Sequence, residues 1–128
     1  MLPRHARMRR SEDFRRTVRH GVRAGRRFVV VHVFQSGTMT DGPTGASSPS
    51  TGTQPAVVGF VVSKSVGSAV RRNRVRRRLR HLALEHLGRL ADDTLVVVRA
   101  LPGAATAGPQ LRTDLDAAWT AALAKLPR

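Results

Sequence analysis

Arginine is concentrated in two blocks of this 128-residue chain, and these blocks restrict how the chain can fold. Ten arginines lie between residues 4 and 27, and seven more lie between residues 71 and 80. Arginine is rarely buried without a partner, so a helix or strand in either block has only a narrow apolar side to bury. We therefore expect amphipathic elements whose charged sides form basic surfaces.

The overall charge indicates a polyanionic partner. Lys plus Arg number 23 against 8 Asp plus Glu, a formal net charge of +15 at pH 7. Such charge binds phosphate backbones by releasing condensed counterions. We expect nucleic acid as the partner, with an anionic membrane or an acidic protein as alternatives.

Length and composition exclude several classes of protein. A length of 128 residues fits one domain, and 41% hydrophobic residues is too many for a wholly disordered basic tail. No apolar run approaches the roughly 20 residues that cross a bilayer, so we expect a cytoplasmic protein without membrane contact. The chain has no cysteine, which excludes disulfides, thiol catalysis and cysteine-bound zinc.

Apolar periodicity predicts alternating helices and strands. Ser11 before two acidic residues is typical of a helix start, and Phe14 and Val18 share one side of a helix that ends at Gly21. Beta-branched runs predict strands, and a 3.6-residue period predicts helices. The predicted elements are a helix over 11–20, strands over 28–34 and 57–62, a helix over about 69–90, a strand over 94–99 and a final helix after Pro109.

Together these elements predict a single domain over residues 1–128, an α+β sandwich with helices packed on a small sheet. Residues 1–10 are expected to be a flexible basic arm. Residues 36–56 are rich in Ser, Gly, Thr and Pro and are expected to be a disordered loop. The simplest topology pairs the two strands that flank this loop in antiparallel fashion. A fourth strand is expected within a valine-rich run or beyond a bulge.

The second arginine block forms one side of a predicted helix. At about 100° per residue, Asn73, Arg77 and Arg80 lie opposite Val75, with Arg76 beside them. Like charges at these spacings cost an isolated helix a few tenths of a kcal/mol per pair, so helix stability does not explain the pattern. An RNA-binding face does explain it, and a solvated basic face or a localisation signal is the alternative.

The start of the same helix carries further candidates. Arg71 and Arg72 lie where free N–H groups can bind a phosphate. Asn73 can hydrogen-bond to phosphate, to a 2′-hydroxyl or to a neighbouring arginine, and a helix-capping role is the alternative.

The segment from Val58 to Arg80 resembles the signature of the bacterial ribonuclease P protein family. Val-Gly-Phe-Val-Val-Ser-Lys-Ser-Val-Gly-Ser leads directly into Ala-Val-Arg-Arg-Asn-Arg-Val-Arg-Arg-Arg-Leu-Arg. The Arg-Ser-Glu-Asp-Phe and Val-Arg-His-Gly pieces within residues 10–21 are also similar to that family. The resemblance covers the chain apart from the basic arm and the 36–56 loop. It implies a two-layer α/β sandwich with a mostly antiparallel, four-stranded sheet and a left-handed crossover through the basic helix.

The resemblance also implies a function. Members of the family are subunits of an endoribonuclease, ribonuclease P, whose RNA cleaves precursor tRNA to give the mature 5′ end, so we expect no catalytic residue in the protein. The implied partners are the catalytic RNA and precursor tRNA, and the protein is expected to be monomeric outside the complex. Mg²⁺ is required by the RNA, and no metal site is predicted in the protein. The alternative is a general RNA-binding or ribosome-associated protein with no enzymatic context.

The family's RNA-contact motif is carried over residue by residue. Lys64 matches a family lysine at the end of its strand. The motif maps to Arg72, Asn73, Arg76, Arg77 and Arg80. With Arg71 and Arg74 of the same arginine block, the predicted RNA-binding residues are Lys64, Arg71, Arg72, Asn73, Arg74, Arg76, Arg77 and Arg80.

A second implied surface is a cleft that holds the single-stranded 5′ leader of the substrate. The predicted leader-binding residues are Phe14, Arg15, Val18 and Val31. Val18 and Val31 stand where the family often has aromatic rings, so we expect weaker leader binding or more reliance on phosphates. Phe14 is equally well interpreted as a core residue, and the other aromatic residues, Phe28, Phe34, Phe60 and Trp119, are assigned mainly to the core.

Overall fold

The computed structural model describes residues 6–8, 11–35, 56–88 and 90–126. The helices are α1 (Ser11–His20), α2 (Ala69–Leu87) and α3 (Gln110–Ala124). The strands are β1 (Val22–Gly25), β2 (Val29–Gln35), β3 (Val57–Val62) and β4 (Thr94–Ala100). Short 3-10 turns occupy Lys64–Val66 and Ala104–Thr106.

The four strands form one sheet in the order β1-β2-β4-β3. β2 pairs antiparallel with both β1 and β4, whereas β3 and β4 are parallel and α2 connects them. This arrangement confirms the predicted α+β class with a mostly antiparallel, four-stranded sheet. The handedness of the crossover through α2 stays a prediction, as does the single domain over 1–128.

The predicted antiparallel pairing of strands 28–34 and 57–62 is wrong. β4 lies between β2 and β3, and β3 runs parallel to β4. The fourth strand is β1, which follows α1 after one residue and lies in neither valine-rich run. At four residues, two of them Ala and Gly, β1 is too short to produce a strand pattern of its own.

One face of the sheet forms the main core with α2 and α3. Val29, Val31 and Val33 of β2 are fully buried in one cluster that includes residues of both helices. Since successive side chains of a strand point to opposite faces, His32, Val97 and Gly59, which are in register across three strands, belong to the other face. α1 packs on that second face, because the Phe14 ring lies against Gly59.

The segment before α1 continues the sheet past β3. Arg7 forms a parallel bridge with Val58, and the Met8 N–H donates to the Val58 carbonyl at 2.9 Å. Ala6 and Met8 are buried. The expectation of a flexible arm over 1–10 therefore does not hold for residues 6–8. The rest of that arm and residues 36–55 of the predicted loop lie outside the described residues, while Ala56 is buried just before β3.

The predicted helix over 11–20 is confirmed, but its buried side differs from the prediction. Thr17 is fully buried and its hydroxyl donates to the Asp13 carbonyl at 2.7 Å, which satisfies the polar group inside the protein. Val18 is 40% exposed. A threonine whose hydroxyl bonds within its own helix can thus replace an apolar residue at the contact with the sheet.

Gly21 joins α1 to β1 where there is no space for a side chain. A Cβ at this position would lie 2.4 Å from the Val33 carbonyl oxygen and 2.6 Å from that of Thr17. Both oxygens belong to the backbone, and the Gly21 N–H donates to the Thr17 carbonyl at 3.0 Å. The close approach places the junction of α1 and β1 directly against the backbone of β2.

We expect Gly21→Ala to lower the free energy of unfolding by about 1–3 kcal/mol, because the added methyl must displace backbone. Gly88→Ala is the matched control: Gly88 ends α2 at φ −67°, and a Cβ there would meet no atom within 4 Å. The control should be neutral or stabilising by up to about 1 kcal/mol. Urea unfolding measures both variants, and equal stabilities would contradict the contact at Gly21.

Candidate nucleic-acid interface

α2 is fixed to the protein through one side, and its arginine-rich side is therefore presented outward. Its buried residues are Val75, Leu79, Leu82, Ala83 and His86. The His86 ring stacks on Trp119 of α3 with centroids 4.8 Å apart and hydrogen-bonds to Asp116 at 2.7 Å. Arg78, which was not predicted as a site residue, donates to the Gly108 carbonyl at 2.7 Å and so ties α2 to the loop before α3.

The start of α2 is shaped by Gly67 and Ser68. Ser68 is the N-cap, with its side chain accepting from the Arg71 N–H at 3.3 Å. Gly67 has φ +147°, a conformation that favours glycine, and the Arg72 side chain donates to its carbonyl at 3.2 Å. Because Ser68 caps the helix, the capping alternative for Asn73 is excluded.

The predicted basic side of α2 is present in the structure, and a hydrogen bond links two of its side chains. The Arg76 guanidinium donates to the Asn73 side-chain oxygen at 3.0 Å. Asn73, Arg74 and Arg77 are exposed, whereas Arg76 and Arg80 are half-buried. The amide thus orients an arginine, which is one of the roles that its chemistry predicts.

Arg76 and Arg80 are half-buried because they line a cleft of about 400 Å³. The cleft opens between the 6–8 segment, α1, β3 and α2. The residues that line it are Arg7, Met8, Phe14, Val58, Gly59, Phe60, Arg76 and Arg80. The structure therefore brings Phe14, predicted to bind the leader, together with two arginines predicted to bind the catalytic RNA.

The cleft is strongly positive. Three arginines line it, and none of its lining residues is acidic. Burial, followed by the nearby charges of Arg7 and Arg76, lowers the pKa of Arg80. A guanidinium keeps its proton in proteins, so Arg80 stays charged in the cleft. Arginine forks bind phosphate oxygens in bidentate fashion, so a phosphate suits the site.

Two aromatic rings border the same cleft. Phe14 lies over Gly59, where a Cβ would come within 2.5 Å of the ring, and the ring is half-buried. Phe14 is therefore part of the cleft wall rather than of the main core. Phe60 is half-buried, packs against the core and also lines the cleft, so its assignment mainly to the core was incomplete.

Sequence reasoning missed several cleft residues. Phe60 lies in an apolar run, 57–62, that is typical of a buried strand. Arg7 and Met8 lie in a segment without periodicity, and only their pairing with β3 brings them to the site.

The prediction that Val31 binds the leader is wrong. Val31 is 0% exposed and belongs to the main core beneath α2 and α3. Side chains alternate along a strand, so a register error of one residue exchanges the two faces. On β2 the residues that face the α1 side are Val30, His32 and Phe34.

The other predicted residues lie outside the cleft. Val18 and Arg15 are exposed on α1, and Lys64 is exposed in the 3-10 turn before α2. None of the three lines the cleft, and their contacts with RNA stay predictions.

His32 of β2 lies on the α1 side of the sheet, where its titratable side chain is buried. Its pKa is lowered by burial and then by the charges of Arg99 and Arg23. Its imidazole is consequently neutral at pH 7, so the positive charge of this side comes from arginine.

The described residues contain neither a metal-binding cluster nor a helix that could span a membrane. Within the described ranges, no three His, Asp or Glu side chains are grouped so as to hold a metal ion. No helix in the described part of the chain combines the length and apolarity that crossing a membrane requires.

The fold and the cleft define a small, basic α+β protein with an arginine-lined site suited to a phosphate backbone. The model of the family described as Ribonuclease P matches residues 2–123. The chain belongs to the ribonuclease P protein family, and this membership gives it a role in the ribonuclease P endoribonuclease complex.

Relatives and solved structures agree with this assignment. A ribonuclease P protein component from Streptomyces bikiniensis is 54% identical over 119 residues, covering 92% of each chain. Another from Salinispora tropica is 51% identical over 129 residues, covering 97% of this chain and 95% of the relative. The structure of the Staphylococcus aureus RNase P protein is similar in fold, with a TM-score of 0.70, 22% identity and coverage of 94% and 95%.

We expect Gly59→Ala to push the Phe14 ring out of its position, because a Cβ would lie within 2.7 Å of two ring atoms. If the ring stacks on a base, affinity for a single-stranded RNA oligonucleotide should fall at least about fivefold, since stacking contributes about 1–3 kcal/mol per base. Gly25→Ala is the control, a strand glycine whose Cβ would meet only a Val30 methyl at an ordinary 3.5 Å. Equal affinities of the two variants, measured by fluorescence anisotropy, would contradict this role of Phe14.

Proposed function

We propose that the chain binds the RNA subunit of ribonuclease P through the outward side of α2 and holds the single-stranded 5′ leader of precursor tRNA in the cleft. The observation that carries the proposal is the meeting of Phe14 with Arg76 and Arg80 in one cleft. Such a site offers a ring for a base and guanidinium groups for the adjoining phosphates. Single-stranded nucleic acid is bound by this combination of groups.

In this proposal the two RNAs bind different sides of α2, which differ in how exposed their side chains are. Asn73, Arg74 and Arg77 are exposed on the outer side of α2, where they can reach phosphates of a large folded RNA. Arg76 and Arg80 face the cleft, where they can reach the leader. α2 thus lies between the two RNAs and neutralises both.

In this proposal the protein carries no catalytic residue, and the RNA subunit cleaves the phosphodiester bond. Mg²⁺ bound by that RNA would activate water and stabilise the leaving oxygen. The protein's contribution is electrostatic: its positive charge lowers the repulsion between the RNA subunit and the leader. The need for free Mg²⁺ as a counterion should fall accordingly.

The alternative, a general RNA-binding protein without enzymatic context, makes a different prediction. A general binder would not distinguish precursor tRNA from mature tRNA, because it has no use for the leader. Family membership favours the ribonuclease P role.

Reconstitution tests the proposal directly. With ribonuclease P RNA at low Mg²⁺, the chain should raise the rate of precursor tRNA cleavage and should bind precursor tRNA more tightly than mature tRNA. No stimulation by a folded chain, or equal binding of the two tRNAs, would refute the proposal.

Salt dependence tests the role of the cleft arginines. The pair of substitutions Arg76→Gln and Arg80→Gln should lower the slope of log affinity against log salt for a single-stranded leader by about 0.7 for each lost phosphate contact. Arg112→Gln is the control, because Arg112 is exposed on α3 and already paired with Glu85 at 2.6 Å. A slope unchanged in the double variant would show that these arginines do not contact the leader.

A further inference from the structure

A second basic surface lies at the edge of the sheet opposite the cleft. β1 is the edge strand on one side of the four-stranded sheet, and the cleft is on the other side, at β3 and the 6–8 segment that bridges to it. Arg23 lies on β1, and Arg26 and Arg27 lie in the turn between β1 and β2. All three are exposed, as is Lys125 just after α3, whose ammonium donates to the Arg23 carbonyl at 2.7 Å. We call Arg23, Arg26, Arg27 and Lys125 the β1-edge patch.

The patch is held in place by the surrounding structure. Gly21, just before β1, lies against the Val33 carbonyl of β2, and the Arg26 N–H donates to the Val29 carbonyl at 2.8 Å, which closes the turn. The Phe28 N–H donates to the buried Asp114 carboxylate of α3 at 3.0 Å. Because the backbone is already ordered, binding a ligand costs side-chain entropy but little backbone entropy.

The charges of the patch are not neutralised within the described part of the chain. No acidic side chain there forms an ion pair with Arg23, Arg26 or Arg27. Asp114 is the carboxylate that touches the turn, and it accepts from the Phe28 N–H and from the Gln110 amide. Arg99 adds charge on the α1 side of the sheet, where it and Arg23 both lower the pKa of His32.

Distance separates this patch from the cleft. Three strand spacings of about 4.8 Å lie between β1 and β3, so the two surfaces are about 14 Å apart across the sheet alone. A phosphate bound by Arg76 or Arg80 is therefore not within contact distance of Arg23. The patch needs phosphates of its own.

The patch also lacks an open aromatic ring on which a base could stack, which is typical of sites for single-stranded RNA. Its nearest ring is Phe28, and the Arg27 guanidinium lies over that ring with its carbon 5.4 Å from the centroid. The Arg27 cation thus covers one face of a ring that is half-buried and packs against the core, which disfavours base stacking there. What remains is a set of cationic donors suited to a regular backbone of phosphates.

We propose that the β1-edge patch binds the sugar-phosphate backbone of a double-helical RNA segment, without reading its sequence, as a contact separate from the cleft. The inference rests on the proposed function, in which the chain is an RNA-binding subunit. It adds a second anchoring surface, so that the protein is held by helical RNA at one edge of the sheet and by single-stranded RNA at the other.

The experiment compares two RNA probes of equal phosphate number, a plain duplex and an unstructured single strand. The triple variant Arg23→Gln, Arg26→Gln and Arg27→Gln should bind the duplex with a salt slope lower by about two to three units, near 0.9 for each lost phosphate contact. Its slope for the single strand should stay within about half a unit of wild type. Arg112→Gln again serves as the control for an exposed arginine outside the patch, and thermal unfolding verifies that the variants are folded.

The outcomes separate the two proposals. If the wild-type chain binds neither probe, the proposed function itself fails. If the wild-type chain binds both probes and the triple variant keeps the wild-type slope on the duplex, the β1-edge patch is not an RNA contact and the proposed function stands. Equal losses on both probes would also overturn the inference, because they would indicate a diffuse loss of charge. A patch that binds an acidic protein surface instead would give the unchanged duplex slope.

Discussion

The pairing of β4 with both β2 and β3 is the constraint on which the rest of the structure depends. Val96, Val97 and Val98 are fully buried at the centre of the sheet, covered by helices on both faces. Because β3 runs parallel to β4, the chain between them has to cross from one end of the sheet to the other, and α2 makes that crossing. The crossing brings the arginine-rich helix to the β3 edge. The same edge receives Phe14 from α1 and the 6–8 segment, so the cleft is a product of the strand order.

Much of this arrangement could be predicted from the sequence. The bounds of α1 and the side of α2 that is buried follow from local spacing, and the outward side of α2 follows from it as well. The order of the strands could not be predicted, because long-range pairing leaves little trace in the sequence of a strand. β1 was missed for a related reason: four residues stabilised by pairing with β2 do not form a pattern on their own.

The candidate site was predicted residue by residue but not as an assembly. Arg76, Arg80 and Phe14 were assigned to two surfaces, and only the fold shows that they line one cleft. Val31 was assigned to the wrong face, since an error of one position on a strand reverses the direction of the side chain. Phe60 supplies a second ring to a cleft in which the sequence predicts Phe14 alone as a ring. The cleft therefore combines rings and charges rather than replacing one with the other.

The proposed function requires Phe14 and Arg80 to act on the same strand of RNA in the same cleft. A double-mutant cycle on the affinity for precursor tRNA tests it, using Phe14→Leu, Arg80→Gln and the combination of both. If both residues contact the same strand, the coupling free energy should be about 0.5–3 kcal/mol, as is found for residues that share a contact. Losses that simply add would show that the ring and the guanidinium act independently, and would contradict a single shared site.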